Sequence, residues 1–385
     1  MLLDFDRIIR QNNLPQIGSK VLVAMSGGVD SSVTAALLKK AGYDVIGVTM
    51  KLHQAKVGKS VKTCCSGVDI ADARKVSKQL GIKHYILDLE NRFKESVINN
   101  FIKSYQEGET PIPCIRCNQT VKFEDLVNFG KQLGCDVLAT GHYIKRVEDK
   151  NGINLFCADD NQKDQSYFLF ATTQDQLKFL RFPLGNFTKS FIRKLASFFD
   201  LDVATKKDSQ DICFIPDGDY KKFLKKSIKI EAKGGLIETF DGKAVGNHSG
   251  ITGYTIGQRK GIGVGGIKGI NNNSPFYVID IDKNNNKIIV GPKEKLAKYL
   301  IHLKEINFVS NDIPENAFDA FVKVRSRNSL LSARIKSFSS KNKTAIVELE
   351  KPEFGVAPGQ ACVFYNKEKK MIGGGWIYSG EKKYS

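Results

Sequence analysis

Residues 21–32 read Val21-Leu22-Val23-Ala24-Met25-Ser26-Gly27-Gly28-Val29-Asp30-Ser31-Ser32. The apolar run from Val21 to Met25 suits a buried parallel strand, and it stops at Ser26-Gly27-Gly28. A helical pattern then begins, with Val33, Leu37 and Leu38 on one face and Ala35 and Ala36 beside them. Two glycines between strand and helix let the backbone turn sharply and bring its N–H groups close to an anion. The hydroxyls and open N–H groups at the helix start, with the positive end of the helix dipole, favour a phosphate there. No Gly-Lys-Ser/Thr follows, which excludes a Walker A loop, and the glycine spacing is not that of a dinucleotide-binding turn. A glycine-rich turn with no ligand would read the same way in isolation.

Outward from this stretch, strand and helix alternate from Lys20 to about Lys206. Strands are predicted at Val21–Met25, Asp44–Met50, His84–Asp88 and Val137–Thr140. A helix is predicted over Ser66–Leu80, with Ser66 and Asp69 spaced as a capping box. The pattern predicts an α/β fold with an open parallel sheet, whose ligands collect at the carboxyl ends of the strands. Gly141-His142-Tyr143 falls at such an end, as the glycine turn does. After about Ile215 the character changes. Residues 234–292 are rich in Gly and Asn, with short apolar runs at Phe276–Ile281 and Ile288–Val290. Alternating stretches follow at Ala320–Val324 and Thr344–Glu348, before a glycine-rich close at Gly373–Trp376. These read as short antiparallel strands, in a small β-rich central domain and a C-terminal β-barrel or sandwich. The expected domains are 1–216, 217–297 and 298–385.

Composition bounds the partners. With 59 Lys and Arg against 41 Asp and Glu, the formal net charge of the 385 residues is +18, which points to a large polyanion, RNA or DNA ahead of a membrane surface. The basic residues are spread along the chain, so a lysine-rich bias without a partner is the competing reading. Met1 to Gln16 has no apolar core region, so it is no secretory signal, and no segment approaches 18 uninterrupted apolar residues. The eight cysteines (64, 65, 114, 117, 135, 157, 213 and 362) are therefore expected to be reduced thiols in a cytoplasm.

Two cysteine segments carry chemistry. Pro113-Cys114-Ile115-Arg116-Cys117-Asn118 holds a C-x-x-C ahead of a basic, helix-like segment. Zinc would need a second pair, and Cys64-Cys65 are adjacent and awkward for one tetrahedral site. A thioredoxin-like redox pair lacks the surrounding pattern. The other segment is Asp208-Ser209-Gln210-Asp211-Ile212-Cys213-Phe214, where a lone thiol sits among polar groups. A lone cysteine is more often a small buried apolar side chain.

The order Ser26-Gly27-Gly28-Val29-Asp30-Ser31-Ser32 resembles the PP-loop of ATP pyrophosphatases, which cleave ATP between the α and β phosphates. Several segments then occur in one order: the loop, Cys117, Gly141-His142-Tyr143, Lys163-Asp164-Gln165-Ser166-Tyr167-Phe168-Leu169, Asp208–Phe214, Thr255-Ile256-Gly257-Gln258-Arg259-Lys260-Gly261 and Ala357-Pro358-Gly359-Gln360. From about Lys20 to the end this order resembles the tRNA-specific 2-thiouridylase family, and its specificity lies in the ordered set.

The resemblance implies ATP-dependent adenylation of the C2 oxygen of a wobble uridine, then sulfur transfer to give 2-thiouridine. ATP would meet Ala24, Met25, Ser26, Gly27, Gly28, Val29, Asp30, Ser31, Ser32, Met50 and Gly141, with Met50 over the adenine and Asp30 helping to hold Mg²⁺. Cys213 would carry a persulfide. Cys117 would attack it, leaving a transient disulfide bond that a reductant reopens. Release of hydrosulfide inside the pocket stays open as an alternative. His142, Lys163, Asp164, Gln165, Arg325, Ser326 and Gln360 would touch tRNA, and Gln258, Arg259 and Lys260 fit phosphate contacts. The implied partners are tRNA and a persulfide sulfur-donor protein, a cysteine desulfurase or sulfur carrier, with no membrane. The chain departs from the family pattern at one place: many members have an aspartate three residues before the first catalytic cysteine, and this chain has Cys114. Two rivals remain, an amide-forming PP-loop synthetase and a non-catalytic RNA-binding protein. The paired thiols weigh against both.

Overall fold

The computed structural model describes residues 8, 11–53, 67–208, 212–215, 218–228, 233–264 and 275–379. Ser66 with its capping box, Cys64, Cys65 and Ser209 to Asp211 lie outside the described residues. The first sheet has five parallel strands. β1 (Lys20–Ala24) lies between β2 (Asp44–Lys51) and β4 (Val137–Thr140); β3 (Lys83–Asp88) and the short β7 (Leu180–Arg181) are its edges. The chain leaves β1 toward β2 and β3, then returns to β4 on the other side. The crevice where ligands bind in such sheets therefore lies between the carboxyl ends of β1 and β4.

Apolar residues clothe both faces, which is why the strands read as near-continuous hydrophobic runs. Leu22, Ile46 and Val48 face one cluster, shared with the helical region 90–132. Val21, Val23 and Val45 face another, with α1 (Val29–Lys40), α2 (Gly67–Leu80) and α5 (Lys189–Phe198). The helical region contains α3 (Asn99–Gln106) and α4 (Pro113–Cys117), and its turns widen to π-helix at Lys94–Ile98 and Asn118–Asp125. The second widening begins at the residue after Cys117, and such bulges recur near functional sites.

Beyond α6 (Tyr220–Ser227), a small sheet runs β10-β11-β8-β9, from β8 (Gly235–Thr239), β9 (Ala244–His248), β10 (Tyr277–Asp282) and β11 (Lys287–Gly291). Its β11–β8 pair is parallel, which corrects the expectation of antiparallel pairing throughout. The long connection from β9 to β10 frees the chain to enter the sheet away from its sequence neighbour. The last six strands form a closed barrel: β12 (Ala297–Phe308), β13 (Phe318–Lys323), β14 (Leu331–Ser339), β15 (Thr344–Phe354), β16 (Ala361–Tyr365) and β17 (Lys370–Tyr378). Pairing of β12 with both β15 and β17 closes the ring.

A hairpin that the sequence reading passed over, β5 (Ile144–Asp149) and β6 (Gly152–Cys157), leaves the first sheet and pairs with β17 of the barrel. The largest apolar cluster crosses the same joint, for it holds Leu22 and Phe123 together with Val363, Tyr365 and Trp376. Tyr167 is planted in the barrel, donating to the carbonyl of Ala361 (3.0 Å) and accepting from the Ala361 N–H (3.2 Å). α/β unit and barrel are thus one packed body at this joint.

Candidate functional site

The turn after β1 is shaped by its glycines. Gly27 has φ +70°, and a Cβ there would lie 2.1 Å from the Asp69 carbonyl oxygen. Gly28 stands at the N-cap of α1 and supplies no side-chain cap, which leaves the first-turn N–H groups open to a ligand. Ser31 Oγ accepts from the Ser26 N–H (3.1 Å), and Ser32 Oγ donates to the Gly28 carbonyl (2.8 Å), so the hydroxyls brace the loop. Gly141, at the end of β4, abuts the start of α1: a Cβ there would come within 2.9 Å of Asp30 C and Ser31 N. Met25 is buried and continues the ladder through its N–H to Val48 O (2.8 Å). Met50 is also buried, on the strand face it shares with Ile46 and Val48.

A chain of ion pairs links this loop to the segment leading to Cys213. Lys189 Nζ donates to both oxygens of Asp30 (2.7 and 2.8 Å) and pairs with Asp208 (2.9 Å). The Tyr143 hydroxyl adds a third hydrogen bond to Asp30 (2.7 Å). Asp208 also receives Lys163 (2.8 Å) and Arg193 (2.9 Å). Burial raises the Asp208 pKa, but the hydrogen bonds from Lys163 and Lys189 outweigh it and hold the carboxyl below its ordinary value. Lys206 Nζ caps the Gly27 carbonyl (2.9 Å) and pairs with Asp69 and Asp72. Its burial disfavours the charge, yet the hydrogen bonds it donates to those carboxylates raise its pKa overall.

The glycine turn, with its open N–H groups and hydroxyls, suits the pyrophosphate part of ATP, and Asp30, expected to help hold Mg²⁺, is the carboxylate in the first turn of the helix beside it. A lysine ammonium already stands against both its oxygens. Among the described residues no three His, Cys, Asp or Glu side chains gather as a metal site.

The thiols lie on the other side of the sheet. Cys117 is buried within the largest apolar cluster, and Cys213 is half-buried and packed against that cluster. Phe214 anchors the Cys213 segment by edge contacts to Phe93 and Phe101. Cys114 is exposed, and none of the six described cysteines is in a disulfide. The barrel grips the helix that carries Cys117. Arg116 pairs with Glu305 (2.7 Å) and lies 4.5 Å from the centroid of the Trp376 ring. Lys304 pairs with Glu109 (3.0 Å), and Thr110 N donates to Pro358 O (2.7 Å).

An open groove of about 530 Å³ gathers Gln258, Lys260, Arg325 and Gln360 beside Thr110 and Lys221. Gln360 Nε2 donates to the Thr110 carbonyl (2.7 Å), tying the groove to the chain entering α4. A larger opening of about 680 Å³, around Phe321, Arg334 and Glu348 of the barrel, shares no residue with it.

Most of the other residues assigned to tRNA make contacts within the protein. Asp164 pairs with Lys323 (2.8 Å), and its side chain is only 2% exposed; it braces the joint rather than facing solvent. Gln165 accepts from the Tyr143 N–H (2.9 Å), and Lys163 is paired with Asp208. His142 is bonded to Thr140 (2.8 Å) and wedged edge-on against Phe123 and Phe182. Burial, with the Lys122 charge nearby, drives its pKa down to about 3, so it meets any ligand as neutral imidazole. Ser326 is half-buried in the turn after β13. Sequence reasoning placed Arg116 near Cys117 as a charge favouring its thiolate but missed its contact with the barrel, and it missed Lys189. Lys189 did carry a signal: it is a basic residue in the first turn of a helix, where the dipole disfavours it, so another interaction must compensate.

A parallel sheet with a PP-loop-like glycine turn at its switch point, joined to a small mixed sheet and a closed barrel, defines a protein of PP-loop type with two appended β-rich domains. Family models match all three parts: tRNA methyl transferase HUP domain over residues 19–217, tRNA methyl transferase PRC-barrel domain over 221–292 and aminomethyltransferase beta-barrel domain over 298–377. A tRNA-specific 2-thiouridylase of a Wolbachia sp. from Drosophila simulans is 49% identical over 362 residues, 94% of this chain and 95% of the relative. The namesake of Roseobacter denitrificans is 48% identical, covering 95% and 96%, and that of Ehrlichia ruminantium 47%, covering 98% and 100%. The chain belongs to the tRNA-specific 2-thiouridylase family. Among solved structures, the U34-tRNA thiolase NcsA from Methanococcus maripaludis aligns at 16% identity and a TM-score of 0.35, over 58% of this chain and 72% of that one.

Proposed function

We propose that this chain is a tRNA-uridine 2-sulfurtransferase that adenylates the C2 oxygen of the wobble uridine and replaces it with sulfur from a cysteine persulfide. The observation that carries the reading is that Cys213 borders the cluster holding Cys117, although 96 positions separate them. An amide-forming synthetase has no use for such a pair.

The chain's residues divide the work. The Gly27-Gly28 turn, the first-turn N–H groups of α1 and the Ser26, Ser31 and Ser32 hydroxyls hold the departing pyrophosphate, with the adenosine over Ala24 and Met50 and against Gly141. ATP supplies the adenylyl group that makes the C2 oxygen a leaving group. Cys213 presents a persulfide loaded by a sulfur-donor protein, a cysteine desulfurase or sulfur carrier. Its terminal sulfur attacks C2 and AMP departs. The Cys117 thiolate then attacks Cys213 Sγ; the S–S electron pair moves to the sulfur on C2, giving 2-thiouridine and a Cys117–Cys213 disulfide. Lys260, Arg325 and Gln360 hold the tRNA along the groove. An anticodon-loop base is single-stranded and can be splayed into a pocket at modest cost. Among the described residues no helix is long and apolar enough to cross a membrane.

The test is nucleoside mass spectrometry of unmodified tRNA incubated with the protein, Mg-ATP and a persulfide donor. Thiolated uridine that requires ATP and disappears in Cys213→Ser is the expected result. Bound tRNA with no thiolated base would overturn the reading.

A further inference from the structure

Cys114 has no part in the reaction as written, yet the structure sets it one turn from a reacting thiol. It is exposed, and Cys117, three residues on, is buried in the same helix, where the Asn118 N–H donates to the Cys114 carbonyl. Helical neighbours at that spacing have Cβ atoms about 5–6 Å apart, so a small local adjustment closes a disulfide between them. An exposed first thiol and a buried second is also the asymmetry of dithiol motifs that exchange with outside partners. Cys213, half-buried beside the Cys117 cluster, completes a graded set of three thiols.

This grading poses a problem for turnover. A Cys117–Cys213 disulfide has its Cys117 sulfur in the apolar core and its Cys213 sulfur half-covered, and while it persists Cys213 cannot take the next persulfide. Exchange needs in-line access to one sulfur. Cys114 stands exposed one helical turn from Cys117.

We propose that Cys114 is the resolving thiol of this enzyme, an inference that rests on the Cys117–Cys213 disulfide proposed above. The Cys114 thiolate attacks Cys117 Sγ, the Cys117–Cys213 bond breaks, and its electron pair leaves on Cys213 as a thiolate. One disulfide replaces another, so no oxidant or reductant is consumed in this step. Cys213 is then ready for the next persulfide while the oxidised pair sits at the surface. A dithiol protein of the thioredoxin class attacks Cys114 Sγ, passes through a mixed disulfide and leaves as its own disulfide. Its two electrons and two protons restore Cys114 and Cys117 as thiols.

The experiment is one round of thiolation by persulfide-loaded protein, quenched by alkylation and mapped by peptide mass spectrometry, beside multiple turnover with a thioredoxin-type dithiol protein. Wild type should accumulate Cys114–Cys117 when the reductant is omitted, and only when ATP and tRNA are present. Cys114→Ser should accumulate Cys117–Cys213 and slow with the protein reductant by about 10-fold or more. Dithiothreitol, small enough to reach the covered bond, should restore its rate, which damage to the fold would not allow. Wild type that shows Cys117–Cys213 alone, or Cys114→Ser that turns over normally with the protein reductant, overturns the resolving role. If 2-thiouridine forms and neither protein ever shows Cys117–Cys213, the persulfide reading itself fails and this inference falls with it.

Discussion

Gly27 is the residue on which the phosphate cradle turns. Its left-handed backbone brings the loop against the Asp69 carbonyl, where no Cβ fits. Gly27→Ala should cost roughly 2–3 kcal/mol and abolish ATP-dependent pyrophosphate release, measured by thermal unfolding and a phosphate assay. His142 shows the opposite lesson, for its residue type promised charge and its surroundings remove it. With a folded pKa of about 3 against an ordinary value near 6.5, the unfolded chain binds a proton between those values that the folded chain refuses. Its contribution to stability is therefore complete above pH 6.5 and declines as pH falls toward 3. An NMR titration should show no His142 ring shift between pH 5 and 8; a midpoint near 6.5 would contradict this environment.

At the scale of elements, α4 is less a free helix than a lever held by the barrel. Arg116 joins it to Glu305 and Trp376, and Thr110 and Gln360 fasten its approach. Glu305 is about half-exposed, so its pairing contributes little alone, and the guanidinium over the indole supplies the rest. Arg116→Ala should lower stability by only about 1 kcal/mol and leave ATP-driven pyrophosphate release within about twofold. Thiolation should nevertheless slow about tenfold, because Cys117 is then misplaced. Trp376 is the only tryptophan, so its emission reports directly whether the helix has undocked. Equal losses in both half-reactions would show instead that Arg116 acts through the fold as a whole.

For the whole molecule, net charge +18, the groove where the central sheet and the barrel meet gathers Lys221, Lys260 and Arg325, and it is the tRNA path in the function proposed above. Lys260→Ala and Arg325→Ala should each flatten the dependence of log Kd for tRNA on log salt by up to about one unit. Filter binding at several salt concentrations checks this, and unchanged slopes would move the tRNA path elsewhere. Much of the architecture was legible in the sequence. The alternating strands and helices around Val21–Ser32 disclosed the parallel sheet, because period and turn residues are local properties of the chain. The ordered motifs disclosed the family. Other features depended on distant parts of the chain meeting: the parallel β11–β8 pair, the β5–β6 hairpin on the barrel and the Lys189 bridge between Asp30 and Asp208. So did the burial that keeps His142 neutral and Asp164 turned inward. The sequence alone determined the kinds of element and the chemical groups available, since backbone preference and side-chain type act over a few residues. Only the tertiary structure decided which groups share a site and which are held inside the protein, because burial and charge pairing are properties of the space between elements.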